Sequence, residues 1–103
     1  MFRPPNSTPS NSLDYLELAD AAARKSIVHY TRLEQVLYDL EEQLIADPLE
    51  VGRQFDRFNV EERHFRVHVT PKLLYCPSFR ILFEVIDRGA SYRCLVWAFS
   101  EKS

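Results

Sequence analysis

Basic side chains recur at every second position of one apolar segment in the C-terminal half of the chain. His64, Arg66 and His68 alternate with aromatic and aliphatic residues, and Arg80 stands in the next apolar segment. Guanidinium groups bind phosphate through paired hydrogen bonds, and imidazole exchanges protons near neutral pH. The set therefore contains the groups of a phosphate site with acid–base chemistry. The same alternation is also typical of the solvated face of two half-buried strands.

Metal and cofactor chemistry finds little support in the residue types. His64 and His68 are four residues apart on a strand pattern and have no third ligand nearby, so they do not define a zinc site. Cys76 and Cys94 lack the spacing of metal ligands, and we interpret them as structural thiols. With only two glycines, a glycine-rich phosphate loop is not expected. We predict neither a metal nor a cofactor.

The charge of the chain changes sign between its halves. Residues 1–51 hold four basic and nine acidic side chains, whereas residues 52–103 hold nine basic and six acidic ones. The C-terminal half is therefore the only plausible surface for phosphate groups. A strong nucleic-acid binder usually carries a heavier basic stripe than this one.

Two helices are predicted in the N-terminal half. From Leu13, apolar residues recur at three- and four-residue spacing, and Asn11 or Ser12 is suited to cap this first helix. The second helix is the clearest element, with a continuous apolar stripe. The stripe consists of Leu33, Val36, Leu37, Leu40 and Leu44. This helix ends at Asp47, because the residue before a proline is disfavoured in helical geometry. Residues 26–30 are compatible with either a turn or a continuation of the first helix.

The periodicity changes to two in the second half, which predicts strands. The strands span residues 64–69, 79–86 and 91–99. Residues 87–90 have the composition of a hairpin turn, and residues 72–76, bracketed by prolines, predict an edge segment or an irregular connection. In the last strand, Leu95, Trp97 and Phe99 are expected to share one face and to pack in the core.

These elements define a single domain of the α+β class. The 103-residue chain has room for one hydrophobic core. Because both helices precede the strands, the pattern predicts a two-helix hairpin packed on a small sheet that is antiparallel throughout. Residues 1–12 are polar and proline-rich and predict a flexible segment, and residues 13–103 form the domain.

Nothing in the hydropathy pattern indicates a membrane protein or a secreted one. No apolar run approaches the roughly 20 residues of a membrane span. The segment of residues 1–12 has no hydrophobic signal core. We therefore expect a cytoplasmic protein without a membrane partner.

Three segments, by their order and spacing, resemble the RelE/ParE superfamily of bacterial type II toxin–antitoxin toxins. They are the end of the second helix at residues 46–52, the strand at residues 79–87 and the closing strand at residues 94–99. The resemblance spans about residues 13–99. It implies a RelE/ParE-like fold and a cognate antitoxin whose C-terminal segment wraps the toxin. The strand that usually precedes the first helix in this family has no counterpart in the pattern of residues 2–5.

The resemblance also implies functional residues. Ribosome-dependent members promote cleavage of mRNA by the ribose 2′-hydroxyl, which requires a base and positive charge for the phosphate. By matching strands, Arg66, Arg80 and Lys102 are implied to bind phosphate, and His68 and Arg80 to act in catalysis. If the strands pair in register, Arg66, His68 and Arg80 are expected to converge on one concave sheet surface that no other layer covers.

Two functions are compatible with this scaffold. The first is a metal-independent endoribonuclease, an mRNA interferase that binds RNA and acts on ribosome-bound mRNA. The second is a non-enzymatic binding module, either a ParE-type gyrase inhibitor or a degenerate toxin bound by its antitoxin. Leu82 and Ile86, beside Arg80 and Glu84, predict a docking surface for another chain. The sequence leaves open the target, the antitoxin and the oligomeric state.

Overall fold

In chain order, two helices follow a first short strand and precede the other strands of the sheet. The computed structural model describes residues 11–55 and 63–102. The helices are α1 (Glu17–His29) and α2 (Leu33–Ala46), followed by a 3₁₀ turn at Pro48–Glu50. The strands are β1 (Ser12–Tyr15), β2 (Arg53–Gln54), β3 (His64–Val69), β4 (Phe79–Asp87) and β5 (Tyr92–Glu101). The α+β class expected from the sequence is confirmed.

The described strands form one mixed sheet in the order β1-β5-β4-β3-β2. Neighbours from β5 to β2 pair antiparallel, whereas β1 pairs parallel with β5. The expectation of an antiparallel sheet throughout is therefore wrong. Parallel neighbours require a long crossover connection, and here the whole helix pair and the three intervening strands separate β1 from β5.

The first helix begins later than the sequence predicts. Residues 12–15 are extended and pair with β5, and α1 starts only at Glu17 with no side chain capping its first turn. Asn11, expected as a helix cap, joins two other elements. Its Nδ2 donates to the Ile45 carbonyl oxygen at 2.8 Å, and its Oδ1 accepts from the Tyr92 amide at 2.8 Å. The side chain therefore links the edge of the sheet to the end of α2.

The predicted flexible segment of residues 1–12 is described only at its end. Residues 1–10 lie outside the described residues, whereas Asn11 is held by the two hydrogen bonds above and Ser12 begins β1.

A tight turn separates the two helices. The ambiguous segment 26–30 continues α1 as far as His29, and the chain turns at Tyr30. The Tyr30 amide donates to the Ser26 carbonyl at 2.8 Å, and the Leu33 amide donates to the Tyr30 carbonyl at 2.9 Å. Helix α2 ends at Ala46, directly before the predicted boundary residue Asp47.

The core lies between the helix pair and one face of the sheet. From α2 it takes Leu33, Leu37, Leu40 and Leu44, and from β4 it takes Phe79, Ile81, Phe83 and Val85. These side chains are all buried. Each buried aliphatic or aromatic side chain of this size stabilises the fold by about 1.5–3 kcal/mol relative to an exposed one. The core therefore specifies which face of β4 meets the helices.

Both cysteines lie inside the protein as free thiols. Cys94 is fully buried in β5, with its Sγ 3.9 Å from the carbonyl oxygen of Leu44 in α2. Burial raises the pKa of the Cys94 thiol to about 11 and also raises the pKa of Cys76. Their positions fit the interpretation of both as structural residues.

A bulge in β5 changes the orientation of its C-terminal half. Ala98 pairs with Leu82, but Val96 pairs with Phe83, so Trp97 is an extra residue in the strand. Phe99 therefore faces the core and stacks on Phe79 with ring centroids 5.0 Å apart. The expectation that Trp97 and Phe99 share a face is wrong, because the bulge shifts the alternation by one residue.

The connection between β3 and β4 is irregular, as predicted for residues 72–76. Leu73 and Cys76 exchange two backbone hydrogen bonds of 2.9 and 3.1 Å, which close a four-residue turn. At its tip Tyr75 has a φ of 61° and is 84% exposed. Closer to the sheet, the Thr70 hydroxyl accepts from the Phe79 amide at 2.8 Å.

Gly52 and Gly89 allow the effect of a close contact to be compared with the effect of backbone strain alone. Both have positive φ, 68° and 90°. A Cβ on Gly52 would clash with the Val67 carbonyl oxygen, whereas a Cβ on Gly89 would meet no atom within 4 Å. We expect Gly89→Ala to cost about 1 kcal/mol of unfolding free energy from backbone strain alone. Gly52→Ala should cost clearly more, because β2 must move away from β3. Urea denaturation measures both, and equal losses would show that the close approach is not tight.

Candidate functional site

The three residues expected to form one site lie on two faces of the sheet. Paired residues in neighbouring strands share a face. Arg66 pairs with Phe83 and His68 with Ile81, so both lie on the face that the helices cover. Arg80 pairs with Val69 and lies on the opposite face. The expectation that all three converge on one uncovered surface is therefore wrong. A shared face would require a pairing of β3 with β4 that is shifted by one residue from the one observed.

Arg66 is engaged by the backbone of its own chain. Its Nε donates to the Val51 carbonyl oxygen and its Nη2 to the Gly52 carbonyl oxygen, both at 2.9 Å. These bonds attach β3 to the turn that follows α2. Two of the guanidinium's hydrogen-bonding directions are therefore used to hold the fold.

His68 lines a cleft between α2 and β3. The cleft has a volume of about 370 Å³, and its lining includes Asp39, Gln43 and Thr70. The imidazole is half-buried, and burial lowers the pKa of His68 below its ordinary value. The neutral form is therefore favoured, in a position separated from Arg80 by the sheet itself. This geometry does not supply a base for a reaction at Arg80.

The face of the sheet opposite the helices carries an apolar floor, formed by Val67, Leu82 and Ala98, with Arg53 and Arg80 beside it. We call this surface the open face. Its central row crosses four strands and consists of Ala98, Leu82, Val67 and Arg53. The next row contains Ser100, Arg80 and Val69. Together with Gln54 and Phe55, most of these residues line a groove of about 480 Å³. No helix of the described ranges packs against this face.

Arg53 and Arg80 flank the floor on opposite sides. Arg53 stands level with Val67 and Arg80 with Val69, two strands away. With strands about 4.8 Å apart and residues about 3.3 Å apart along them, their Cα atoms are about 12 Å apart. Both side chains are exposed, and within residues 11–55 and 63–102 neither takes part in an ion pair. Two extended guanidinium groups can therefore approach one anionic group above the floor.

Lys102 belongs to the same side as Arg80. Its amide donates to the Ser78 carbonyl at 2.9 Å, which continues the pairing of β5 with β4 beyond Glu101. By alternation from Ser100, the Lys102 side chain follows on the open face. The four predicted site residues are thus divided into two pairs, Arg80 with Lys102 and Arg66 with His68.

A buried carboxylate organises the other end of the open face. Glu84 is 5% exposed, and it accepts a hydrogen bond from Trp97 Nε1 at 3.0 Å and an ion pair from Arg63 Nε at 3.1 Å. The Arg63 guanidinium also lies 5.3 Å from the centroid of the Trp97 ring, within cation–π range. Phe65 meets the same indole edge to face at 5.6 Å. Arg63 is therefore paired at this end, whereas Arg53, Arg80 and Lys102 take part in no ion pair within residues 11–55 and 63–102.

Arg53 and Trp97 were not identified from the sequence. Arg53 lies in a strand of only two residues, which is too short to show the alternation of apolar and polar residues that predicts a strand. Trp97 was interpreted as a core residue because a bulge has no signature in the alternation of a single strand. The charge count did indicate that cations would lie on the sheet side, and Arg53 is one of them.

The described residues offer neither a metal site nor a membrane-spanning helix. In the described ranges no three His, Cys, Asp or Glu side chains stand where they could hold a metal ion. Neither α1 nor α2 combines the length and the apolar character that a membrane crossing requires.

Comparisons with known proteins give no relative. No protein-family model, no curated protein and no solved structure matches the chain.

The buried position of His68 predicts a pH-dependent stability. Because its pKa is lowered in the folded state, the unfolded chain binds the proton more readily. The contribution of neutral His68 should be complete above the unfolded pKa of about 6.5 and should be lost as the pH falls below it. We expect His68→Gln to flatten the decline of unfolding free energy between about pH 6.5 and 5. His64→Gln, at an exposed position of the same strand, is the control, and equal slopes for all three proteins would contradict the assignment.

Proposed function

We propose that this chain is the toxin component of a type II toxin–antitoxin system that acts by binding a protein rather than by cutting RNA. The observation that carries the proposal is the division of charged groups between the two faces of the sheet. The accessible arginines, Arg53 and Arg80, flank an apolar floor on the open face, while His68 lies on the side that the helices cover. The two histidines of β3, His64 and His68, both lie on the helix-covered side, which supports binding rather than histidine-dependent catalysis on the open face.

The order of elements supports a RelE/ParE-type scaffold. The resemblance in sequence lacked a strand before the first helix, and β1 now occupies that place, paired with the closing strand β5. A strand, a helix pair and an antiparallel run of strands follow one another, with the helices on one face only. Within residues 11–55 and 63–102, no helix packs on the opposite face of the sheet.

The open face suits an antitoxin segment that is both apolar and acidic. Leu82 and Ile86, predicted as docking residues, lie on this face and are half-buried. Arg53 and Arg80 provide positive charge on either side of the floor. An extended or helical segment with apolar residues between carboxylates would complement both features. The target, for which gyrase is the family precedent, would compete for the same face.

The endoribonuclease is the second candidate. It is favoured by Arg53, Arg80 and Lys102, which place three cations on one face where phosphates of ribosome-bound mRNA could bind. It then requires a base supplied from outside this set, because His68 lies across the sheet. RNA binding and RNA cleavage are therefore separable in this protein.

Both candidates depend on Arg80, and they differ in whether mRNA is cut. We expect induced expression of the chain in a bacterial host to slow growth, and Arg80→Ala to relieve most of the inhibition. Loss of one charge-assisted contact costs about 1.5–3 kcal/mol of binding free energy, or roughly 10- to 150-fold in affinity. His68→Gln should inhibit growth as the unsubstituted chain does. Colony counts and growth curves measure the effect, and sequencing of mRNA 5′ ends tests for cleavage during translation.

Arg88→Ala is the matched control, because Arg88 is an exposed arginine in the turn between β4 and β5. It should leave growth inhibition unchanged. Translation-dependent mRNA ends that disappear in Arg80→Ala would overturn the binding proposal in favour of the endoribonuclease, and their loss in His68→Gln as well would assign the base to His68. Unimpaired growth on expression of the soluble, folded chain would remove the toxin assignment altogether.

A further inference from the structure

A second surface of opposite charge lies between the two helices. Helix α1 packs mainly on β5 and α2 against β1 and the core, so the helices leave a groove between them. We call it the inter-helix groove. It has a volume of about 260 Å³, and its floor contains Ala23, Ile27 and Leu37. Ala23 and Leu37 are buried and Ile27 is partly buried, so the floor is apolar.

The rim of the inter-helix groove is acidic. Asp20, Glu34 and Glu41 line it, and the one basic lining residue, Arg24, pairs with Asp20 at 2.9 Å. Glu34 has no ion-pair partner within residues 11–55 and 63–102. The groove therefore keeps a surplus of negative charge.

Tyr15 holds one of these carboxylates in place. Its hydroxyl donates to Glu41 Oε2 at 2.9 Å. Burial of the phenol, and next the adjacent Glu41 carboxylate, raise the pKa of Tyr15. The phenol therefore stays a neutral donor, and the carboxylate keeps its charge at the groove.

The wider helical layer has the same sign. Residues 12–47 carry eight acidic and three basic side chains, whereas residues 63–102 carry three acidic and seven basic ones. A partner approaching the helices meets a negative field, and a partner approaching the open face meets a positive one. A ligand suited to one surface is therefore repelled by the other.

We infer that the inter-helix groove binds a basic amphipathic helix of a second partner protein, distinct from the segment proposed for the open face. A groove between two helices accepts a third helix along it. Along α2 the lining runs from Glu34 to Glu41, about 12 Å at 1.5 Å per residue, so about two turns of a partner helix would lie in the groove. Its apolar side would meet Ile27 and the exposed ring of Tyr38, and lysines or arginines on its flanks would meet Glu34 and Glu41.

Synthetic peptides test this inference directly. The probe is a 14-residue helical peptide with leucines at three- and four-residue spacing and lysines on both flanks. One matched peptide replaces the leucines with glutamine, and a second replaces the lysines with glutamate. We expect fluorescence anisotropy to show binding of the first peptide only, with affinity falling as salt is raised. Amide shifts of Ala23 and Ile27 in NMR spectra should change on binding.

Substitutions on the protein distinguish binding in the groove from attraction to the acidic surface in general. Glu34→Gln with Glu41→Gln removes two charges of the rim while keeping an acceptor for Tyr15, and should weaken binding about tenfold. Glu50→Gln with Glu101→Gln is a matched pair of exposed acidic positions outside the groove and should leave the affinity unchanged. Equal weakening by both pairs, equal binding of the leucine-free peptide, or no binding of the leucine–lysine peptide would each overturn the inference.

Discussion

The register between β3 and β4 determines on which side of the sheet every candidate side chain lies. Thr70 sets it at the end of β3, where its amide donates to the Phe79 carbonyl and its hydroxyl accepts from the Phe79 amide. Thr70 is itself 2% exposed. With this pairing Val69 stands opposite Arg80, and a slip by one residue would move a whole strand's side chains to the other face. The buried phenylalanines and isoleucine of β4 allow only one of these arrangements.

That arrangement gives the domain two surfaces of different chemistry. On the helix side, Arg66 holds the turn after α2 and His68 remains in a cleft, so neither is free for a phosphate on the open face. On the open face, Glu84 neutralises Arg63, but Arg53 and Arg80 retain their charge beside apolar floor residues. The sheet therefore separates Arg66 and His68 from Arg80.

The elements with a long apolar repeat could be predicted from the sequence. Helix α2 shows five apolar residues at helical spacing and a proline at its end, and β4 alternates over nine residues. In contrast, β1 has only four residues, and Leu13 and Leu16 happen to stand at a helical spacing. Its extended conformation depends on pairing with β5, about 80 residues later, which no local pattern encodes.

The candidate site could be predicted in part. Alternation correctly placed Arg66 with His68 on one face of β3, and Arg80 with Leu82 on one face of β4. The relation between the two strands depends on the irregular connection from Thr70 to Ser78, whose length alone does not specify a register. The position of Arg53 could not be predicted because its strand is short, and the orientation of Trp97 depends on a bulge. Long-range pairing, rather than local preference, decided each of these positions.

The position of Cys94 has a practical consequence for the study of this domain. Its thiol lies at the junction of β5 and α2 and is withheld from solvent. Only the thiolate reacts with alkylating reagents, and burial suppresses its formation. Cys94 can therefore be alkylated only when α2 and β5 separate. The rate at which a reagent labels this sulfur would thus report how often the interior opens, without any engineered probe.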